Sequence, residues 1–503
     1  MLSEAPLLSL LIWLPIAGGL LVLWMRDQEA AAERIALIIT VAGFLISLYL
    51  WAGFDPNQTQ LQWVESVAWI ESLHIYYALG IDGIALPLIV LTTFMTIPVV
   101  ILTPSSVSQQ QSFYLSAFLI MEGLMIGVFS ATDAVLFYVF WEAMLIPMFL
   151  IIGIWGGANR IYATIKFFLY TFLGSVLMLA VIIYLYWRSG EFSIWAWHGM
   201  HLSAKEQWWI FMAFWAAFAV KIPMWPVHTW LPDAHVEAPT GGSIILAAIM
   251  LKLGAYGFLR FTLPIVPDAA VALHGLMIGL SLAAIVYIGF VALMQEDMKK
   301  LVAYSSIAHM GIVTLGIFLP FSMATLGVGV DQEGVLLAVQ GSIVQMISHG
   351  LVSGALFACI GVLYDRMHTR QISEYGGIAT SMPMFAAFLV FFAMANIGLP
   401  GTSGFVGEFA VILAAMHANF WVALLAATTL VLAASYTLWM VKRVAYGPVK
   451  RPAIAMLADL SWREGLVLTM LAIPVLILGI WPAPLLQVTE PAVHTLLEPI
   501  FGL

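Results

Sequence analysis

The chain is short of charge and nearly free of cysteine. Lys, Arg, Asp and Glu together supply 9% of its 503 residues, and Cys359 is its one cysteine. A soluble domain carries about 25% charged residues, and so few could not cover the surface of a globule of this size. A lone thiol excludes a disulfide framework, a thiolate-ligated zinc site and an iron–sulfur cluster held by four cysteines. There is no glycine-rich phosphate loop, and no histidine pair has the i, i+4 carboxylate-containing spacing of a zinc motif, so nucleotide and metal sites are unsupported. Bases number 18 against 27 acids, mostly in short loops, which leaves no polybasic arm for nucleic acid or anionic lipid.

What is plentiful is apolar length. Hydrophobic residues make up 63% of the chain, and runs long enough to cross a bilayer occur at Leu7–Trp24, Ile35–Gly53, Leu79–Leu102, Phe113–Ser130, Ala134–Trp155, Phe167–Trp187 and Trp208–Leu231. Seven more follow at Gly242–Thr262, Ala269–Met294, Leu301–Leu319, Val335–Tyr364, Met384–Met416, Phe420–Tyr446 and Gly465–Leu486. The fold expected is an all-α membrane protein of about 14 transmembrane helices, here numbered as spans one to fourteen. The segment before span one carries Glu4 and no base, the wrong flank for a secretory signal, so that span is read as retained.

Lys and Arg sort unevenly across this count. With the N-terminus outside, the inner side holds Arg26, Arg34, Arg160, Lys166, Lys299, Lys300, Arg366, Arg370, Lys442, Arg443, Lys450, Arg451 and Arg463, whereas the outer side holds Arg188, Lys205 and Arg260. Such asymmetry is the positive-inside pattern, and losing one helix would scramble it. Both termini are then expected on the outer side.

Two spans cannot be plain helices. Span seven contains Pro223 and Pro226, which remove backbone donors and clash with preceding carbonyls. Span twelve is too long for one crossing and contains Gly398-Leu399-Pro400-Gly401. Spans four to eight and nine to thirteen each form a set of five whose fourth member is interrupted, the pattern of two inverted five-helix repeats. The chain divides accordingly into 1–112, a three-helix segment, 113–262 and 263–446, the two repeats, and 447–503, a C-terminal helix and tail.

Charges lie where lipid should exclude them. Lys252 stands at the centre of span eight, about 15 Å of helix from either interface, beyond the reach of a snorkelling ammonium. A charge there costs roughly 2.5–3.5 kcal/mol on insertion scales, which makes function the default reading over a structural ion pair. Glu142 follows two aromatics in span five, Lys221 precedes the first break, Glu408 follows the second, and Glu122 lies midway along span four. Among the histidines, His228, His309 and His349 fall at depth. Imidazole accepts on one nitrogen and donates on the other, so together these groups form a candidate row of proton stations. A carboxylate 4 Å from a lysine returns about 4 kcal/mol at an effective dielectric of 20, and about 1.7 kcal/mol at 10 Å. Movements of a few ångströms between Glu142 and Lys221 would therefore load or unload a proton.

The runs Phe140-Trp141-Glu142, Lys221–His235 (KIPMWPVHTWLPDAH), Asp297–His309 (DMKKLVAYSSIAH) and Gly401–Phe409 (GTSGFVGEF) resemble the antiporter-like subunits of respiratory complex I. Glu408 stands where sister subunits of that family carry lysine. The resemblance implies that Glu142, Lys221, Lys252, His309 and Glu408 are half-channel and central-axis residues of a proton-translocating membrane-arm subunit in a bacterial inner membrane. It implies that NADH, flavin, iron–sulfur clusters and quinone belong to partner subunits, and that the neighbours are other membrane-arm subunits, including sister antiporter-like ones. The nearest rival is a subunit of a multisubunit sodium/proton antiporter. A structural linker whose buried charges only pair helices and a quinone-reducing chain are further alternatives.

Overall fold

The computed structural model describes residues 5–325 and 331–502, so Glu4 lies outside it. Among the described residues, twelve helices are individually long and apolar enough to cross a membrane, and they match spans one to six, eight to eleven, thirteen and fourteen. The two left out are the interrupted ones. Span seven is a helix over Ala204–Lys221 followed, after an unwound stretch, by a short helix over Trp230–Glu237. Span twelve is Pro383–Asn396 and Ser403–Ala418, with Gly398 and Gly401 at φ +82° and +91° between the halves. Only glycine takes such angles without strain, so these two residues set where the second break falls.

Four features depart from the sequence reading. Residues 62–81 form an antiparallel hairpin, β1 (Gln62–Ile70) and β2 (Ile75–Ile81), so span three begins at Ala85 rather than Leu79. Span five is also broken: Ala134–Ala143 and Leu145–Trp155 meet at Met144. Pro147 lacks the N–H that would bond the Ala143 carbonyl, and its ring crowds that carbonyl. Span eight, Thr240–Ile265, contains two π-helical segments, Leu246–Met250 and Phe258–Thr262, on either side of Lys252. After span fourteen (Trp462–Ile480), a further helix covers Ala483–Phe501.

The loops gather at two ends, and among the described residues the cross-segment ion pairs other than the buried His309–Glu408 contact join groups that the span count puts at the same end. One end has Arg463–Glu33, Arg366–Glu464 and Lys166–Asp233, each at 2.7 Å. The other has Arg260–Asp82 at 2.7 Å, Arg188–Glu206 at 3.5 Å and His417–Asp331 at 2.5 Å. A miscounted helix would have paired charges across the membrane. The hairpin is anchored at the second end, where Glu65 accepts from the Leu8 and Ser9 backbone N–H groups. The C-terminal helix lies at this end too, with the Phe501 ring packed at a tilt against Phe321, centroids 5.1 Å apart. It buries Leu485, Val488, Val493, Leu496 and Leu497, and it crosses so close to the start of span three that a Cβ on Gly83 would collide with the Val488 carbonyl.

That contact makes a prediction. Gly83→Val should lift the C-terminal helix at a cost of about 1–3 kcal/mol, the range for overpacking a tight contact. Hydrogen–deuterium exchange in membranes checks it, with the backbone amides of the Ala483–Phe501 helix expected to exchange several-fold faster than in the parent protein.

Candidate functional site

The second break and the two π segments deliver side chains to one buried row. Lys252, between the π segments, is fully buried, and its Nζ donates to the Ala247 carbonyl at 2.6 Å and meets His349 Nδ1 at 2.7 Å. His349 comes from the middle of span eleven, a helix over Gln332–Met367. Its ring lies 5.9 Å, centroid to centroid, from that of His309 in span ten. His309 Nδ1 in turn bonds Glu408 Oε1 at 2.5 Å, and Gln345 Nε2 donates to the same oxygen at 3.0 Å. The sequence therefore converges on Lys252–His349–His309–Glu408, with members from spans eight, eleven, ten and twelve, none more than 4% exposed.

Glu408 reaches the row because its half-helix presses against span eleven. A Cβ on Gly407 would lie 2.6 Å from the Gln345 backbone nitrogen, so only glycine permits this approach. A small cavity of about 10 Å³ is lined by His309, Gln345, Ser348, His349, Asn396 and Glu408. His309 Nε2, His349 Nε2, Gln345 Oε1 and Glu408 Oε2 are buried without a hydrogen-bond partner among the described residues. A space of this size with several polar partners suits a single water molecule. Beside it, Asn396 Nδ2 donates to Ser305 Oγ and Thr437 Oγ1, each at 3.2 Å, and Ser305 pairs with Tyr436 at 3.0 Å.

Lys221 and Glu142 form a separate station. Lys221 ends the first half of span seven, 1% exposed, with Nζ 4.8 Å above the Trp141 ring and no hydrogen-bond partner among the described residues. The carbonyl freed just before it, that of Val220, is satisfied by Trp230 Nε1 at 2.8 Å. Glu142, next to Trp141, is partly exposed on the face that also carries Val139, Ile146 and Phe149, and its Oε1 is unpartnered.

Two predicted residues stand apart. His228 occupies the unwound stretch of span seven, where Thr229 pairs with Tyr170 at 3.0 Å, and no hydrogen bond joins it to the row. Glu122 is buried between spans four and two, near enough to Gly43 that a Cβ there would lie 3.5 Å from its Oε1. Conversely, His235 is fully buried and stacks on Phe357 at 4.4 Å with neither ring nitrogen partnered. It closes the quoted motif of span seven, which was its only sequence signal. Two residues on, Glu237 lines a 130 Å³ pocket at the end of the Lys166–Asp233 pair with Lys299, Asp365 and Arg370. Lys299, a loop residue by span count, is 6% exposed there and donates to the Ala238 carbonyl.

Comparison with known proteins bears on this arrangement. Residues 131–433 match the family model described as NADH:quinone oxidoreductase/Mrp antiporter, transmembrane. The chain is 49% identical to NADH-quinone oxidoreductase subunit M of Rhodobacter capsulatus, covering 98% of this chain and 96% of that one. It is 44% identical to NADH-ubiquinone oxidoreductase chain 4 of Arabidopsis thaliana, covering 98% and 97%. Among solved structures, a chain of respiratory complex I from Thermus thermophilus superposes with a TM-score of 0.87 at 28% identity, over 97% of this chain and 98% of that one. A chain of the Mrp complex from Dietzia sp. shares the fold, with a TM-score of 0.81 at 23% identity, over 99% of this chain and 52% of that one. A match over most of the chain by model, sequence and fold together means that the chain belongs to the NADH:quinone oxidoreductase/Mrp antiporter family of membrane subunits, on the branch of subunit M and chain 4.

Proposed function

We propose that this chain is the proton-translocating subunit of the membrane arm of an NADH–quinone oxidoreductase, and that protons pass along its buried row. The observation that carries this reading is the pair of hydrogen bonds Lys252–His349 and His309–Glu408, whose imidazole rings lie 5.9 Å apart beside a water-sized cavity. Each member changes charge by taking or giving one proton, and each is in reach of a neighbour that takes the opposite role. Lys221 and Glu142 are the loading station. Lys221 rests on the face of Trp141, a site that tolerates an ammonium through cation–π attraction yet offers no anion to hold it. A carboxylate drawing near would favour its protonation and a carboxylate withdrawing would release the proton. The membrane potential opposes outward transfer by about 2.3 kcal/mol per charge per 100 mV, and a carboxylate moving between 4 and 10 Å changes a lysine by about the same amount at an effective dielectric of 20.

On this reading the inner end supplies the protons. The pocket of Glu237, Lys299 and Asp365 faces that end, and His235, on the same short helix as Glu237, continues it inward. His228 and Glu122 are accessory groups. The two five-helix sets, 113–262 and 263–446, act as inverted repeats whose breaks carry Lys221 and Glu408, flanked by 1–112 and 447–503. The chain sits in the inner membrane of a bacterium with both termini outside, among sister antiporter-like and other membrane-arm subunits. NADH, flavin, iron–sulfur clusters and quinone act in partner subunits, whose redox step drives the row.

Glu142→Gln in the whole complex should lower NADH-driven proton pumping at least tenfold, yet spare electron transfer to artificial acceptors. Undiminished pumping would remove Glu142 from the pathway, and sodium-dependent proton movement without an electron donor would favour the antiporter reading. The row makes a second prediction. His349→Ala takes away the side-chain partner of Lys252 and should cut pumping about as deeply as Lys252→Met, while His349→Gln, whose amide oxygen still accepts, should keep part of it. Native gels and pumping rates in inverted vesicles decide both, because a purely structural pairing of helices would leave pumping intact in every variant that assembles.

A further inference from the structure

Span eight continues outward from Lys252 through two more polar residues at helical spacing, Tyr256 and Arg260, which are 2% and 5% exposed. The span count had left Arg260 among outer bases, but the second π segment turns it inward. Its Nη2 donates to Asp82 Oδ2 at 2.7 Å and its Nε to the Tyr256 hydroxyl at 3.3 Å. The Tyr256 hydroxyl donates to the Phe129 carbonyl at 2.9 Å. Asp82 Oδ1 is occupied as well, accepting from the backbone N–H groups of Ile84 and Ala85 at the start of span three. The Trp195 and Tyr256 rings each lie 5.1 Å from the guanidinium carbon, and His198 Nε2 bonds the Arg260 carbonyl at 3.2 Å. Above this cluster a pocket of about 220 Å³ reaches the outer end, with Asp82, Trp195, His198 and Arg260 in its wall.

We infer that the Arg260–Asp82 pair, clamped by Tyr256 and Trp195, is an electrostatic seal that keeps outer water and its protons away from Lys252. The inference rests on the proposed role of Lys252 as a proton station. A proton wire needs groups that alternate between donor and acceptor. Arginine does not give up its proton in proteins and offers five donors and no acceptor. The Tyr256 proton already points to a backbone carbonyl, so the hydrogen-bond chain between pocket and Lys252 ends at fixed donors. A fixed cation in a narrow polar passage also repels hydronium, the device by which pores exclude protons. Burial and the adjacent guanidinium hold the His198 imidazole down at about 4, so it is neutral near pH 7 and adds no second charge to the wall.

The test uses the assembled complex in sealed vesicles with no electron donor, reading the decay of an imposed pH gradient. Arg260→Gln combined with Asp82→Asn removes both charges without leaving one unpaired, and should speed the decay several-fold. Adding Lys252→Met should return it to the parent rate, because the leak runs through that lysine. Where the double variant does not assemble, Trp195→Leu, which loosens the clamp but keeps both charges, should give a smaller increase. Parent-like tightness in assembled variants would overturn the seal, as would a leak that survives Lys252→Met. Loss of NADH-driven pumping without any leak would also overturn it, by making the pair part of an exit path. Pumping by the Lys252→Met single variant tests the proton-station role separately, so the two readings fail in distinguishable ways.

Discussion

The structure depends on one constraint: an ion held away from both water and lipid headgroups must be hydrogen-bonded or paired by the protein itself. The penalty for an uncompensated buried ion is several kcal/mol even after relaxation, a large fraction of the stability of any domain. Lys252 meets the constraint with a carbonyl and an imidazole nitrogen, and Glu408 with an imidazole and an amide sharing one oxygen. Neither can change charge without altering what its neighbour must do. If Glu408 is protonated it no longer needs His309 as a donor, and if Lys252 loses its proton, Nζ turns from donor to acceptor toward His349. Such coupling ties the charge states of the row together, which is what the proposed sequential passage of protons requires.

Regular helices alone could not meet this demand, because they use up their own backbone groups. The lysines and glutamates of the proposed pathway accordingly sit at irregularities, Lys221 at the first break, Glu408 shortly past the second, Lys252 between two π segments and Glu142 two residues before Met144, whereas His309 and His349 stand on continuous helices. The irregularities also cost little in lipid, since the segments are buried in protein, where non-helical backbone is tolerated. The span-eight helix is wholly buried over its apolar stretch, whereas spans one, two and fourteen, which carry no station, expose most of theirs. Lys252 is thus kept from lipid by its whole helix, whereas Glu142 lies on a partly exposed face of span five.

Much of this was legible in the sequence for the same reason that it is expensive. Against 63% hydrophobic residues, a lysine or glutamate at mid-span stands out, and so do Pro223, Pro226 and Gly398-Leu399-Pro400-Gly401. Geometry that leaves no compositional trace was not legible. Pro147 breaks span five, yet Pro15, Pro98 and Pro474 lie inside helices that continue, so a proline alone does not say which outcome holds. The π segments flanking Lys252 consist of ordinary helix formers. The C-terminal helix contains Pro491 and Pro499 and is only one-sidedly apolar, because it lies across the hairpin end against the start of span three. His235 resembled its neighbours in a motif until Phe357 was seen stacked on it.

A protein that moves protons against a potential must refuse them on one side while accepting them on the other, and the two ends of span eight differ in this respect. Inward of Lys252, the approach is lined by Glu237, Asp365, Lys299 and the unpartnered His235, groups that titrate or have unused hydrogen-bonding capacity. Outward of it, every polar atom of Tyr256, Arg260 and Asp82 named above is already committed to a fixed partner. The difference lies in availability more than in polarity, since both ends are charged. A saturated, non-titrating cluster conducts nothing however wet its surroundings, and an unsaturated titrating one conducts as soon as water reaches it. On the proposed reading, the direction of transport through the first of the two five-helix sets follows from which polar groups are left unsatisfied, and the outward step falls to Glu408 in the second.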